Sequence, residues 1–376
     1  MKYIDEMEIS NKKIILRCDF NVPIKDGQIT DDTRITSALK TINYLLDHNC
    51  GIIILSHMGR IKIRDDKLKY SLRPVADYLS KILNKSIKFI DNPVGMEVLK
   101  TAKELKNGQV ILLENTRFCD FPEKLESNND LNLAKYWASL GDIFVNDAFG
   151  SLHRAHASVA GISKYIPSCF GYLVKEEIEK LTPLVSQTPR PYGVFMGGAK
   201  VEDKLKYIKD LLPKCDYLLI GGGIANSFLY ACGYDVGDSL CTNDEMTLEE
   251  LRSLVKTYKG KIIMPVDFVS DAGAIYDLGA KSINKFVFYL EKCKTIFING
   301  TCGKFEQEKY ALGTISLYSA LKNISAVKIA GGGDTLNAIN SFNLKDNFSF
   351  LSSGGGASLE YISTGSLAGI NYINKQ

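Results

Sequence analysis

The chain has 376 residues, 45% hydrophobic and 24% charged, a globular balance with enough apolar side chain for about two cores. A formal net charge of +3 is too small for a nucleic-acid groove or a polybasic membrane anchor, and no apolar run reaches the ~20 residues a bilayer needs. Nine cysteines, scattered and without a Cys-x-x-Cys pair, point to reduced thiols in a cytoplasmic protein and away from a disulfide framework or a zinc site.

In chain order, the opening Met1-Lys2-Tyr3-Ile4-Asp5-Glu6 turns acidic at once and does not read as a signal peptide. Ile14 to Val22 reads as a strand carrying Arg17, Asp19 and Asn21 on alternate positions toward its end, and Asp26-Gly27 is a turn signal. Asp31 and Asp32 open a helix with apolar residues at 35, 38, 39, 42, 45 and 46 and Arg34 in its first turn. Gly51 to Leu55 is a second strand, ending in Ser56-His57-Met58-Gly59-Arg60, and Ile87 to Ile90 a third. Val110 to Leu113 runs into Glu114-Asn115-Thr116-Arg117. Ile143 to Val145 is followed by Asn146-Asp147-Ala148-Phe149-Gly150 and then His153-Arg154-Ala155-His156.

Strands alternating with helical patterns imply a parallel sheet with right-handed crossovers, and such sheets bind ligands at the carboxyl ends of their strands. Four strand ends here release Arg17, Arg60, Arg117 and Arg154, with His57 and His153 nearby and Arg34 as a further cation. One arginine past a strand is usually a surface residue. Several on one edge describe a small, strongly anionic ligand, because the guanidinium fork suits carboxylate and phosphate oxygens. His153-x-x-His156 lacks a third metal ligand, and no Gly-x-Ser-x-Gly elbow supports a Ser/His/Asp triad.

From Gly171 to about Leu181 the pattern is a helix joining two halves, and Pro183, Pro189 and Pro191 break it around Arg190 to mark a hinge region. In the second half, four apolar runs pass through glycines into helical patterns. The glycines are Gly197-Gly198, Gly221-Gly222-Gly223, Gly331-Gly332-Gly333 before Asp334-Thr335, and Gly354-Gly355-Gly356. At the first, a helix is expected directly after the glycines. Unpaired amides, together with Lys200 and Lys204 one turn apart, would then face a phosphate. A tight turn followed by a solvated lysine face is the alternative. Four such ends make a cradle for a polyphosphate. Asp334 can cap its helix and also contact Mg²⁺, which takes one or two carboxylates plus phosphate oxygens. Neither a Walker loop nor a Gly-x-Gly-x-x-Gly fingerprint is present, which argues against a P-loop enzyme and a nicotinamide dehydrogenase.

Together these motifs resemble the phosphoglycerate kinase family. The resemblance is carried by Arg17-Cys18-Asp19-Phe20-Asn21-Val22-Pro23, Asp31-Asp32-Thr33-Arg34-Ile35, Ser56 to Arg60, Leu113 to Phe118, Val145 to Gly150 and His153 to Ser158. Gly197 to Lys204, Gly221 to Gly223, Gly331 to Thr335 and Gly354 to Leu359 continue it, in the family's order, over nearly the whole chain. It implies an α/β fold of two Rossmann-like domains, each a parallel sheet flanked by helices, joined by a hinge helix into a bilobal molecule. Residues 1–170 would bind phosphoglycerate, 171–187 form the interdomain helix, 188–366 bind nucleotide, and 367–376 return to the first domain. The implied activity is glycolytic: reversible, direct in-line phosphoryl transfer from 1,3-bisphosphoglycerate to Mg-ADP, giving 3-phosphoglycerate and ATP, with domain closure. A monomer is expected, with no nucleic-acid or membrane partner.

By the same resemblance, Asp19, Phe20, Asn21, Arg34, His57, Met58, Gly59, Arg60, Arg117 and Arg154 would hold the phosphoglycerate. Gly198, Lys200, Lys204, Gly222, Gly223, Glu306, Gly332, Gly333, Asp334 and Thr335 would hold ADP or ATP. Glu306 would take the ribose and Asp334 the nucleotide's Mg²⁺. Arg34 and Lys200 would stabilise the transferring group, and Gly354, Gly355 and Gly356 would start a helix facing it. Two stretches depart from the family pattern. Ile298-Asn299-Gly300-Thr301-Cys302-Gly303-Lys304-Phe305-Glu306 stands where the family usually reads Trp-Asn-Gly-Pro-Met/Val-Gly-Val-Phe-Glu, and Ile61 stands where proline often follows the arginine. A binding protein on the same scaffold without turnover is the alternative reading, supported by the changes between Thr301 and Lys304.

Overall fold

The apolar runs that end in arginine motifs lie side by side. In the computed structural model, which describes residues 1–375, six strands cross one sheet in the order Ile87–Ile90, Val110–Leu113, Gly51–Leu55, Lys13–Arg17, Ile143–Asn146 and Ser168–Phe170. Every neighbouring pair is parallel. The strands Gly51–Leu55, Val110–Leu113 and Ile143–Asn146 are buried along their whole length. They read as unbroken apolar runs because a parallel sheet is covered on both faces. On one face, Ile14, Leu16, Ile52 and Ile54 pack with Ile42 and Leu45 of the helix Leu39–Asp47 and with Val75 and Leu79 of the helix Arg73–Ile82.

The first strand is shorter than its apolar pattern. It ends at Arg17, and the chain then leaves the ladder: the Cys18 amide still donates to the Leu55 carbonyl (3.0 Å), but the Phe20 amide turns to Ser56 Oγ (2.8 Å). The helix expected after Asp31 is two pieces, Thr33–Ser37 and Leu39–Asp47, broken at Ala38. The edge strand Ser168–Phe170 has three residues, too few for a periodic signal.

The second sheet runs Ile262–Ile263, Tyr217–Ile220, Tyr192–Met196, Thr295–Asn299, Val327–Gly331, Phe350–Ser352, again all parallel. Counted along the chain, its strands stand third, second, first, fourth, fifth and sixth, the doubly wound order of dinucleotide-binding folds. The winding reverses between Tyr192–Met196 and Thr295–Asn299, so a crevice opens beyond their carboxyl ends. The strands Ile262–Ile263 and Thr295–Asn299 have no counterpart among the sequence expectations. An antiparallel hairpin, Phe268–Asp271 with Ala274–Leu278, adds to this half.

The chain divides into two compact units, residues 1–179 with 366–375, and Lys180–Gly365. The division falls within one helix, Tyr172–Ser186. That helix continues through Pro183 instead of stopping there, because one missing amide and its clash with the preceding turn kink a helix without always ending it. At the far end of the chain the helix Ala368–Ile373 belongs to the first unit, tied by the Gly369 amide to the Leu152 carbonyl (2.7 Å). No helix among the described residues is long and apolar enough to cross a membrane.

One expectation is corrected here. No helix starts at Gly197–Gly198. The segment to Lys204 is a series of turns, and the helix spans Leu205–Leu211. Gly198, at φ 123°, lies outside helical geometry, and the Lys204 and Leu205 amides both return to the Val201 carbonyl at 3.0 and 2.8 Å. Lysine ammonium groups, not helix-terminal amides, therefore give this stretch its charge.

Where the long helix begins, fully buried Asp147 accepts the amides of Leu173 (2.9 Å) and Val174 (3.2 Å) on Oδ1, an N-terminal cap supplied from a distant strand end. Burial pushes its pKa up to about 6, against the capping bonds that lower it. Because the folded pKa exceeds the unfolded one, this contribution to stability is complete below about pH 4 and is lost as pH rises through 6. Asp147→Asn keeps the acceptor and removes the charge. Chemical denaturation at pH 7.5 should show it more stable than the parent by about 2–3 kcal/mol, the difference vanishing near pH 4. Equal stabilities at pH 7.5 would contradict the buried-charge account.

Candidate active site

In the first unit the strand ends deliver their side chains to one edge. Asp19 lies just past Lys13–Arg17, with one carboxylate oxygen 2.5 Å from Arg34 Nη1 and the other accepting the Asn21 amide at 3.3 Å. Burial alone would raise its pKa, but the charges of Arg34 and Arg17 and the bond from the Asn21 amide act against burial, and it lies at about 2. Arg34 remains partly exposed, its side chain 36% accessible, so it can still meet a ligand. Asn21 reaches across with Oδ1 to take the Gly59 amide (3.0 Å).

Asn115, buried at the end of Val110–Leu113, organises the neighbouring loop. Its Oδ1 accepts from the amides of Met58 (3.2 Å) and Arg117 (3.0 Å), and its Nδ2 donates to the carbonyls of Met58 (2.7 Å) and Tyr70 (2.8 Å). This tie sets Met58, Gly59 and Arg117 in place, and Arg117 Nη1 donates to the Gly59 carbonyl. Phe20 and Met58 are buried under the site, while Arg60 is exposed. Burial lowers the Arg117 pKa to about 10, with Arg154 and Arg17 lowering it further; Arg154 is lowered by burial and then by Arg60. The cations repel one another, which is the electrostatic mark of a site prepared for an anion.

Arg17 is not one of the cations offered to a ligand. It is 1% exposed, and its donors go to Ser158 Oγ (2.9 Å), the Cys18 carbonyl and His57 Nδ1 (3.1 Å). The strand position after Leu16 points into the protein rather than along the edge, a direction that residue type does not reveal. Among the described residues His153 and His156 belong to no group of three possible metal ligands. Burial first, then neighbouring arginines, lower their pKa values to about 4 and about 3, and His153 Nε2 accepts from Arg154 Nε (2.9 Å).

In the second unit a cavity of about 610 Å³ lies over the switch point of the sheet, lined among others by Gly198, Gly222, Gly223, Tyr276, Glu306 and Asp334. Beside it the strand-end loops interlock through backbone. Gly300 has φ 100°, and a β-carbon there would sit 2.1 Å from the Gly197 carbonyl oxygen, so the loops after Met196 and Asn299 touch main chain to main chain. By contrast, β-carbons at Gly333, Gly355 and Gly356 would meet nothing within 4 Å. The glycines thus have two roles: some pack loops together, while others leave helix starts open. Gly333 and Gly356 are the first residues of the helices Gly333–Ser341 and Gly356–Thr364.

Lys204 Nζ donates to the carbonyls of Gly197 (2.6 Å) and Asn299 (3.3 Å) across the crevice. Burial lowers its pKa to about 8, opposed by Asp334 and Asp203. Lys200 is exposed and makes no hydrogen bond or ion pair among the described residues. Thr335 is buried, its hydroxyl oxygen accepting the Gly300 amide (2.7 Å), so it ties two strand ends together. Exposed Asp334, in the first turn of its helix, is one of three exposed carboxylates lining the cavity, with Asp238 and Glu306. Among the described residues no group of three His, Cys, Asp or Glu side chains could hold an ion alone. That donor set suits an ion which arrives with phosphate oxygens already around it.

The stretch that departs from the family pattern lines the same cavity. Cys302 is buried, its amide donating to Thr314 Oγ1 (3.0 Å), and the exposed Lys304 lies 5.8 Å from the centre of the Tyr276 ring. Tyr276 stacks on Tyr310 at 4.6 Å, whose hydroxyl donates to Asp271 (2.6 Å). None of these aromatic contacts carries a local sequence signal, since the pairing residues lie on separate elements.

Comparison with known proteins agrees with this geometry. Residues 4–365 match the family described as phosphoglycerate kinase. Over its full length the chain is 42% identical to the phosphoglycerate kinase of Fusobacterium nucleatum, covering all of that protein. It is 43% identical to that of Listeria innocua, with 99% of each chain covered. Among solved structures, the phosphoglycerate kinase of Coxiella burnetii matches with a TM-score of 0.85 at 36% identity, over 99% of this chain and 98% of that one. The Pyrococcus horikoshii enzyme matches with a TM-score of 0.87 at 29% identity, over 100% and 98%. A cation-lined sheet edge, a glycine-lined cavity and these full-length matches lead to one conclusion: the chain belongs to the phosphoglycerate kinase family.

Proposed function

We propose that this kinase transfers a phosphoryl group directly from 1,3-bisphosphoglycerate to Mg-ADP, reversibly, as the units 1–179 with 366–375 and 180–365 close on their bound substrates. The observation that carries the reading is a division of chemistry. One sheet edge holds mutually repelling arginines, and the other sheet holds a roomy cavity lined by glycines and exposed carboxylates, with Lys204 close to Gly198.

On this reading the first unit takes the phosphoglycerate. Arg60, Arg117 and Arg154 receive the phosphate, whose charge relieves their repulsion. Asp19, Asn21, His57 and Arg34 fix the remainder of the molecule, and Gly59 keeps the loop close. The second unit takes the nucleotide, with Gly198, Gly222, Gly223, Gly332, Gly333 and Thr335 forming or bracing the phosphate seat. Lys204 lies close to Gly198, and Glu306 is in reach of the ribose. Asp334 would hold the nucleotide's Mg²⁺, which neutralises phosphate charge when bound. Arg34 and Lys200 stabilise the oxygens of the group in transit, and the helix start after Gly354, open at Gly355 and Gly356, adds oriented amides. No covalent nucleophile is needed, because an acyl phosphate is already a good donor and placement supplies most of the acceleration. A cytoplasmic monomer is the proposed working form.

Lys200→Ala should reduce kcat at least ~100-fold with a smaller change in KM, measured by coupled formation of ATP from 1,3-bisphosphoglycerate. An unchanged kcat would remove Lys200 from the chemistry.

Lys204 is charged below about pH 8 and increasingly neutral above it. Mg-ADP affinity should therefore weaken by up to about tenfold per pH unit above 8. Calorimetry at pH 9 in buffers of different ionisation enthalpy should detect proton uptake on binding, and Lys204→Arg should abolish it. Buffer-independent heats in the parent protein would refute the role given to Lys204.

A further inference from the structure

Arg17 and His57 form a buried pair that the reaction, as assigned, does not explain. Arg17 ends the strand Lys13–Arg17, in register with Leu55 of the next strand, and His57 follows two residues later. Both side chains are almost wholly buried. The guanidinium Nη2 lies 3.1 Å from His57 Nδ1. A guanidinium cannot accept a hydrogen bond, so Nδ1 must present a lone pair, and the imidazole carries its proton on Nε2.

We propose that Arg17 is a positioning residue that locks His57 as the Nε2–H tautomer, so that the ring offers a donor to an oxygen of the bound phosphoglycerate. The proposal rests on the placement of His57 in the phosphoglycerate site. Support comes from the way Arg17 is itself held. Its Nε donates to Ser158 Oγ (2.9 Å), Ser158 Oγ donates to Glu126, and the Ser158 amide donates to the same carboxylate at 2.9 Å. Glu126 is fully buried and is the countercharge that allows a guanidinium to remain in the interior.

The surroundings of His57 explain why such a lock is useful. Asp19 Oδ1 stands 3.9 Å from Nδ1 and would draw a proton there. Arg17, Arg117 and Arg34 oppose that charge, and burial opposes it most strongly, so the ring stays neutral well below the usual histidine range. The 3.9 Å approach is therefore not an ion pair in the parent protein. Without Arg17 the repulsion falls and Nδ1 becomes free to take a proton toward Asp19. The neutral ring would then turn an Nε2 lone pair toward an anionic oxygen.

Nitrogen-15 histidine labelling of the full chain tests this directly, since only four histidines are present and His57→Gln assigns the signal. The parent protein should show His57 neutral, protonated on Nε2 and unchanged between about pH 5 and 8. Arg17→Met should move the proton to Nδ1 and make the ring titrate in that range. Its kcat/KM for 3-phosphoglycerate should fall about tenfold or more at pH 7.5 and partly recover toward pH 5.5, where the imidazolium regains an Nε2 donor. A purely structural role would give a loss without recovery at low pH, and that result would overturn the proposal. So would a parent spectrum with the proton on Nδ1, a measurement that holds even if the variant does not fold. Failure of 3-phosphoglycerate to perturb the His57 signal in the parent would instead overturn the site placement, and the tautomer would be judged separately.

Discussion

Repulsion among cations held at one sheet edge is the constraint around which the first unit is built. Arg117, Arg154, Arg17 and Arg60 each depress a neighbour's ionisation. Two charges ~8 Å apart at an effective dielectric of ~20 repel by about 2 kcal/mol, so a cluster of this kind subtracts from the stability of the unit. Two devices limit that cost. Buried carboxylates, Asp19 against Arg34 and Glu126 behind Arg17, balance part of the charge. A fully buried parallel sheet supplies the apolar burial against which the remainder is offset.

The sheet also explains why the charges converge. In a parallel sheet every strand ends on the same edge, so loops distant in sequence release their side chains into one small volume. Asn115 shows how the position is then made exact to a fraction of an ångström. One buried amide satisfies backbone groups of Met58, Tyr70 and Arg117, fixing three loop positions with a single side chain. The second sheet solves a similar problem with backbone. Loops after Met196 and Asn299 interlock through Gly197 and Gly300, leaving no side chain between them. The two strand ends beside the cavity are consequently held main chain against main chain.

Much of this was legible in the residues. Strand ends announce themselves by an apolar run followed by polar or glycine-rich residues, and the chemistry of Asp19, Arg34, Arg117 and Asp334 follows from type and position. What remained hidden shares a cause: it depends on direction or on partners distant in sequence. Arg17 has the composition of a ligand-facing cation, but strand pleat turns it inward, where Ser158 and His57 wait. Thr335 looks like a phosphate ligand, but residue type does not show that its hydroxyl oxygen also accepts the Gly300 amide and ties two strand ends together. The turns from Gly197 to Lys204 follow an apolar spacing that reads as helix, yet the positive φ of Gly198 delays the first helical residue to Leu205. The strand Ile262–Ile263 is two residues long and offers no period at all.

The contrast between Lys204 and Lys200 bears on how the proposed transfer is powered. Lys204 is half-buried, bonded to two carbonyls and lowered in pKa to about 8, so its contribution is fixed before any substrate arrives. Lys200 is exposed. In water a charge pair at 4 Å is worth only ~1 kcal/mol, whereas at an effective dielectric of 20 it is worth ~4. Cations that stabilise a phosphoryl group in transit supply about 4–7 kcal/mol. A solvated ammonium falls short of that, and a permanently buried one would lose its proton as Lys204 begins to do. Lys200 can serve only if it is exposed while the site is empty and loses water when the anionic substrates are bound. Exposure in the free protein is therefore a requirement of the proposed mechanism rather than evidence against it, and it makes exclusion of water part of the catalytic step.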